Sequence, residues 1–337
     1  MENIRPLDNI YVNFNKIKCR LDSFKVMKGI TKNWPDVVLF RAGIKKNINI
    51  HLKGGYKFKI DNEKDYIEFC NNNPLVSKAI LNLSNIPIKY FSNYSIVEFP
   101  YKKRKVKFYV KKDKKQKMAV SLEFIKEIFF NESYKLLNVK NKTVIDVGAN
   151  IGDTAIYFAL NGAKHVYAFE PYPYYYKFAV DNVKLNNIDN KITVINEGCG
   201  VNNIIYLSKD SEKLYITLNK EFGGLLYTDK ELNTKGIKKI KTRDLNNIIN
   251  KYNIKNAVLK IDCEGCEYKL INKASANTLK KFDEIIIECH YGYKNIEKKL
   301  QNIGFIVKHT PPTKVYNPKL KNPNMYLCIL YAKLILL

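Results

Sequence analysis

The sequence predicts an α/β protein with a doubly wound parallel sheet, preceded by a smaller β-rich or α+β extension. Three observations carry that expectation. From about residue 118, short apolar runs alternate with stretches of helical periodicity. The first of those runs ends in a glycine-bearing bend that opens a helix. Before residue 118 there is no such alternation, only short apolar runs punctuated by Lys and Gly. The chain therefore reads as an N-terminal accessory region, 1–117, basic and rich in hairpins, and a larger domain, 118–337.

In the N-terminal region, residues 47–60 (NINIHLKGGYKFKI) place Gly54-Gly55 between two alternating segments, the pattern of a hairpin. Residues 95–110 (SIVEFPYKKRKVKFYV) read as a second hairpin with a basic turn. Between Lys102 and Lys117, ten of sixteen residues are Lys or Arg. Such a run serves as a solvated edge that resists aggregation, or as a surface that meets phosphates, and the sequence leaves both open.

In the larger domain, Leu122, Ile125, Ile128 and Phe129 share one side of a helix over 120–130. Strands follow at 143–147, 165–170, 191–196, 257–262 and 284–288, with helices at 153–160, 174–185 and 269–280. A long middle separates 196 from 257, and Gly223-Gly224 within it suits a turn over the substrate. Residues 304–309 and 325–332 read as two last strands joined by a Pro-rich loop. Strands separated by helices imply right-handed crossovers and a parallel sheet. Ligands of such sheets sit beyond the carboxyl ends of the strands.

Composition narrows the functional classes. Hydrophobic residues make up 46% and aromatics 12%, which excludes disorder as the dominant state. Seven Cys in 337 residues exclude a disulfide scaffold. The opening MENIRPLDNI has no basic segment followed by an apolar run, so no secretory signal is read. The apolar stretch from Met325 to Leu337 is 13 residues long and contains Lys333, too short for a bilayer span. A reducing, cytoplasmic setting is expected, with peripheral membrane contact compatible with the charge. Lys and Arg number 58 against 32 Asp and Glu, a formal charge of +26. That field attracts nucleic acid, anionic membrane or acidic glycans, although a Lys- and Asn-rich solvated surface gives the same count.

The most informative segment is VIDVGANIGD, residues 144–153. Gly148 permits a tight turn, and Gly152 lets a ligand approach the helix start. Glu170 follows 18 positions after Gly152, at the end of the next strand, where a carboxylate can accept both ribose hydroxyls of a nucleoside. Asp146 and Asp153 place two carboxylates around the bend. They oppose a pyrophosphate and suit the sulfonium and ammonium of S-adenosyl-L-methionine, unless Asp153 is a helix cap and Asp146 a turn residue.

VIDVGANIGD, HVYAFEPYP, LKIDCEGCEY and IIIECH, in that order, resemble the FkbM family of class I methyltransferases. The Asn150 of D-x-G-A-N-x-G-D and the K-[IM]-D-x-E-G-x-E strand end are typical of it. The resemblance spans roughly 118–335 and implies a seven-stranded Rossmann-like sheet closed by an antiparallel hairpin. It implies S-adenosyl-L-methionine as cofactor and O-methylation, often of sugar or polyketide hydroxyls. Asp146, Gly148, Asn150 and Gly152 would then line the methionine end and Glu170 the ribose. Asp262 would lie near the transferred methyl. Lys241-Thr242-Arg243-Asp244-Leu245 departs from the family's Thr-Leu-Asp type segment by a basic residue, Arg243.

Removing a hydroxyl proton calls for a base. Asp262, Glu264, Glu267, Glu288 and His290 are candidates, expected to converge from two neighbouring strand ends. His290, titrating near neutrality, is the first choice, with Asp262 beside it. Glu264 and Glu288 are assigned to substrate hydroxyls, and no metal is assigned. Cys263 and Cys266 have no second pair at zinc spacing and read as buried thiols. Tyr172, Tyr174, Tyr175 and Tyr176 read as helix packing, and His165 takes no role. The expected function is methyl transfer to a hydroxyl of a sugar, glycan or glycolipid. The alternatives are an RNA methyltransferase or a non-catalytic nucleic-acid-binding protein on the same scaffold. IDCEGCEY differs from the Asn/Asp-Pro-Pro-aromatic segment suited to base amines.

Overall fold

The computed structural model describes residues 27–53, 55, 57–63, 65, 66, 69, 88–90, 94–111, 118–200, 203–208, 237–316 and 324–335. The chain divides into two compact units, Met1–Lys126 and Glu127–Leu337.

In the first unit, helix α1 (Trp34–Arg41) carries Pro35 and Asp36 in its first turn and Arg41 in its last, matching the helix dipole at both ends. It buries Val37 and Phe40 in a cluster with Ile48, Ile50 and Ile60. The last three come from the antiparallel hairpin of β1 (Ile48–His51) and β2 (Lys57–Ile60). A second sheet joins β3 (Ile88–Tyr90), β4 (Ser95–Tyr101) and β5 (Arg104–Lys111) in that order. One face buries Val97, Phe99, Val106 and Phe108. Glu98 lies within 3.6–3.8 Å of Lys89, Lys105 and Lys107. Both expected hairpins are present, the second turning at Lys102, which has φ 52°. Of the basic run, residues 112–117 lie outside the described residues. The helix expected over 120–130 starts as α2 (Met118–Ile125) and widens into a π-helical turn, Lys126–Phe130.

The second unit holds the predicted sheet. Its strands are β6 (Thr143–Val147), β7 (His165–Phe169), β8 (Ile192–Ile195), β12 (Ala257–Ile261), β13 (Phe282–Cys289), β14 (Phe305–His309) and β16 (Asn324–Leu334). They run in the order β14-β16-β13-β12-β6-β7-β8. β16 is antiparallel to both neighbours, and the other pairings are parallel. Every residue of β12 is buried, as a central parallel strand requires. The core gathers Leu259, Ile261, Ile285, Ile287 and Leu330, among others. Helices α3 (Asp153–Leu160) and α4 (Pro173–Leu185) connect β6, β7 and β8. The chain leaves β6 toward β7 on one side and returns as β12 on the other. The strand order therefore reverses beside β6, where such sheets place ligands.

Three expectations change. The single helix at 269–280 is two, α6 (Glu267–Lys273) and α7 (Ala276–Leu279). Ala274 turns extended, and Ser275 Oγ accepts the Thr278 N–H at 3.1 Å, which caps the new helix. The Pro-rich connection near the end contains a strand, β15 (Thr313–Tyr316), paired with β16. The long middle contributes β9 (Gly198–Cys199), β10 (Asn203–Ser208) and β11 (Ile237–Arg243) in a small sheet, then α5 (Leu245–Tyr252). Gly223 and Gly224 lie outside the described residues. Asp244 caps α5, accepting the Asn247 N–H at 2.8 Å. Helix α8 (Lys294–Ile303) precedes β14. Among the described residues no helix is long and apolar enough to cross a membrane.

Candidate active site

The bend after β6 is built against the end of β12. Gly148 has φ +82°, and a Cβ placed on it would come 1.7 Å from the Asp262 carbonyl oxygen. Glycine is required there on two counts, conformation and space. Gly152, φ +83°, precedes α3, and its missing Cβ would meet Ala179 at 3.1 Å. Between them Asn150 adopts φ 45°. Its N–H donates to Glu170 Oε2 at 2.9 Å, while the Tyr172 N–H donates to Oε1 at 2.8 Å. Glu170 thus ties the β6 and β7 bends together, and each oxygen keeps a further lone pair. Burial pushes its carboxyl up to about 7 against the pull of these N–H groups. Asn150 Oδ1 is buried and, among the described residues, meets no donor.

The two acids expected to frame the bend with open charge do not do so. Asp146 is fully buried; its Oδ1 pairs with Lys260 Nζ at 3.1 Å and its Oδ2 accepts the Thr154 hydroxyl at 2.5 Å. Asp153 is buried in the first turn of α3 and is pushed up to about 7 by that burial, with the Asp146 charge adding to the effect. Attraction of a cationic donor therefore cannot rest on this pair as two free carboxylates.

Lys260, which the sequence reading passed over, sits one strand from Asp146 in the β12–β6 register and is 1% exposed. Its ammonium also donates to the Gly148 carbonyl at 2.8 Å and lies 3.9 Å from Asp262 Oδ2. Burial alone would lower its pKa, but Asp146 and Asp262 overrule that and hold it above the usual lysine value. This ammonium links the β6 bend to the β12 strand end. A lysine inside the otherwise apolar AVLKI was the signal available.

The ends of β12 and β13 converge as expected. His290 Nε2 lies 3.3 Å from Glu264 Oε2 and 4.0 Å from Asp262 Oδ1. Its Nδ1 is 3.0 Å from Oε1 of Glu267, a fully buried carboxylate that also accepts the N–H groups of His290 and Gly265. Burial would lower the imidazole's pKa, but the Glu267 bond and the surrounding carboxylates raise it to about 10. This corrects the expectation that His290 titrates near neutrality: as placed, it keeps its proton at pH 7. Glu288, half-buried, is pushed up to about 7 by burial and by the Asp262 charge. Glu267, one of several base candidates from sequence, instead holds the histidine in place.

Cys263 and Cys266 are not free thiols but a disulfide. Glu264 at φ 57° and Gly265 at φ 114° fold the loop so that the two Cα atoms stand 5.5 Å apart, inside the bonding range. The disulfide closes the loop that carries Glu264. Tyr172, Tyr174 and Tyr175 pack on one another and on Phe178. His165 bonds Thr193 at 2.8 Å, at the start of β7 and away from the carboxyl ends of the strands. The basic edge expected from Arg243 is neutralised by a bidentate pair with Glu197.

A family model described as the methyltransferase FkbM domain matches residues 146–307. Ribosomal protein L11 methyltransferase of Carboxydothermus hydrogenoformans is 44% identical over 54 residues, 16% of this chain and 18% of that protein. The chain thus spans under a fifth of that curated relative. Among solved structures, methyltransferase FkbM from Methylobacillus flagellatus is 16% identical, with a TM-score of 0.37. That match covers 62% of this chain and 47% of that one. TrmK of M. capricolum, solved with S-adenosyl-homocysteine, is 16% identical with a TM-score of 0.34. It covers 60% of this chain and 66% of that one.

Proposed function

We infer from the match of residues 146–307 to the methyltransferase FkbM domain that the chain belongs to that family. From that premise we propose that the larger domain is an S-adenosyl-L-methionine-dependent O-methyltransferase acting on a hydroxyl of a sugar, glycan or glycolipid. One observation carries the reading: the Asp262 carbonyl packs on Gly148, so the acid-lined strand ends open beside the bend that follows β6.

The residues present fit the donor. Asn150 Oδ1, a buried acceptor without a partner, suits the methionine end, and the spare lone pairs of Glu170 suit a ribose diol. Gly148, Gly152 and the backbone of residues 146–153 form the floor, with Asp146 and Lys260 beneath as an internally neutral pair. The donor supplies an electrophilic methyl carried on a sulfonium. The chain's own task is to align an acceptor oxygen with that methyl, exclude water and take one proton. Asp262, Glu264 and Glu288 provide oxygens for neighbouring hydroxyls and for the proton. His290, clamped by Glu267, is a positioning residue.

Acidic strand ends suit a polyol and repel RNA phosphates at the point of reaction. The exposed Lys102, Lys103, Arg104 and Lys105 give the N-terminal unit an anion-meeting edge that suits an acidic acceptor. Radiolabelled methyl transfer from S-adenosyl-L-methionine into fractionated polysaccharide, lipid and RNA tests the proposal. Label in saccharide-bearing fractions is expected. Label in RNA alone would overturn the acceptor class, and calorimetry showing no uptake of S-adenosyl-homocysteine would overturn the donor.

A further inference from the structure

We infer that Asp262, Glu264 and His290 hold a divalent cation of the Mn2+ class, and that this cation activates the acceptor hydroxyl. The chemistry rests on the methyltransferase reading; the geometry does not.

One ligand atom from each of the three residues lies within 4.8 Å of the others. Oxygen and imidazole ligands about 2.1 Å from an ion stand roughly 3 Å apart when adjacent and about 4.2 Å apart when opposite. The Nε2 separations of 3.3 and 4.0 Å from the two carboxylates therefore need only a small contraction.

A second observation concerns the other ring nitrogen of His290 and a carboxylate outside the trio. Glu267, fully buried and anchored by the Gly265 N–H, can only accept from His290 Nδ1. That bond keeps a proton on Nδ1, so a cation that displaces the Nε2 proton meets a lone pair directed toward Asp262 and Glu264. A buried carboxylate orienting an imidazole in this way is how proteins prepare histidine for a metal. Glu264 is held as well, since its loop is closed by the Cys263–Cys266 bond.

Charge points the same way. In a chain of net charge +26, the carboxylates of Asp262, Glu264, Glu267 and Glu288 all act on one imidazole. The nearby ammonium of Lys260 stands closer to Asp146 than to Asp262. Two carboxylates and one imidazole, with the neighbouring sulfurs bonded to each other, suit a first-row ion such as Mn2+, which favours oxygen ligands and accepts an imidazole, over a thiolate-seeking metal.

The acceptor hydroxyl would enter as a further ligand, which lowers the pKa of its proton. The proton passes to Glu288. The oxygen lone pair forms the new O–C bond, and the C–S bond pair stays on sulfur, leaving a methyl ether and the thioether product.

Electron paramagnetic resonance of free Mn2+, titrated with full-length protein, measures uptake without any turnover. One ion per chain is expected, with affinity reduced at least tenfold in His290→Ala and in the milder Glu264→Gln, whose side chain is half exposed. Calorimetry with S-adenosyl-homocysteine runs on the same samples. No Mn2+ uptake by protein that binds S-adenosyl-homocysteine overturns the metal site alone. Mn2+ uptake lost in both variants, without S-adenosyl-homocysteine binding, supports the site and overturns the methyltransferase reading. Undiminished uptake in both variants places the ion elsewhere and overturns the inference.

Discussion

Replacing Gly148 with alanine should be far more damaging than the same change at Gly162, and the difference can be worked from the backbone. Both residues are left-handed, at φ +82° and +92°. A Cβ in that region costs about 1–2 kcal/mol by itself. At Gly162 the added methyl would meet only Lys140, at 3.5 Å or beyond, which is ordinary contact. At Gly148 it would lie 1.7 Å from the Asp262 carbonyl oxygen and 2.9 Å from its carbon. Ordinary C···O contact begins near 3.3 Å, so the ends of β6 and β12 must part by about 1.5 Å. That separation strains the Asp262 N–H bond to Val147 O and the Lys260 bond to Gly148 O, each worth about 1 kcal/mol. The expected totals are about 1–2 kcal/mol for Gly162→Ala and about 3–5 kcal/mol for Gly148→Ala. For a folding unit of about 200 residues, 1 kcal/mol moves Tm by roughly 2–4 °C. Scanning calorimetry of the full chain should therefore show a loss of about 5 °C in one variant and about 10–15 °C in the other. Equal losses would refute the packing of Gly148 on Asp262.

Three further expectations concern buried charge. Lys260→Met should cost about 3–5 kcal/mol by stranding Asp146, and Lys260→Met with Asp146→Asn should recover most of it in thermal unfolding. Glu170, pushed up to about 7, becomes the carboxylate that accepts ribose hydroxyls as pH rises through that value. Calorimetry should find S-adenosyl-homocysteine bound more tightly at pH 8 than at pH 6, and Glu170→Gln weak at both. Asp153 is raised from 3.8 to about 7, so the folded state holds its proton more strongly than the unfolded chain. Its contribution is full below about pH 4 and lost as pH rises through 7. Ligand-free protein should melt lower at pH 8 than at pH 5.5, with a shallower slope in Asp153→Asn.

The parallel sheet was legible because its strands keep short apolar runs and its helices keep their periodicity. The meeting of Asp262, Glu264 and His290 was legible once β12 and β13 were neighbours, since the two acids follow the carboxyl end of β12 and the histidine follows that of β13. Lys260 was not, because its burial depends on a partner 114 positions earlier, in the adjacent strand. His290 looked like a neutral-range base because its clamp, Glu267, is 23 residues away and reached through a loop whose path the sequence does not reveal. Spacing alone read Cys263 and Cys266 as buried thiols, whereas the backbone at Glu264 and Gly265 brings them together as a disulfide. Ser275 was a cap hidden inside a segment whose apolar spacing still matched one helix.

The slot occupied by β16 has a consequence for how the sheet is assembled. This strand lies between β14 and β13, and the Tyr326 N–H donates to the His290 carbonyl at 2.9 Å. On a ribosome, β6, β7, β12 and β13 emerge well before it. A nascent chain thus exposes the open edge of β13, with the histidine unpinned, until residues 324–334 have been synthesised and slide into place. The His290 carbonyl gains that partner only once residues 324–334 have joined the sheet, and nicking the segment should loosen the backbone at His290 while the other strands stay paired.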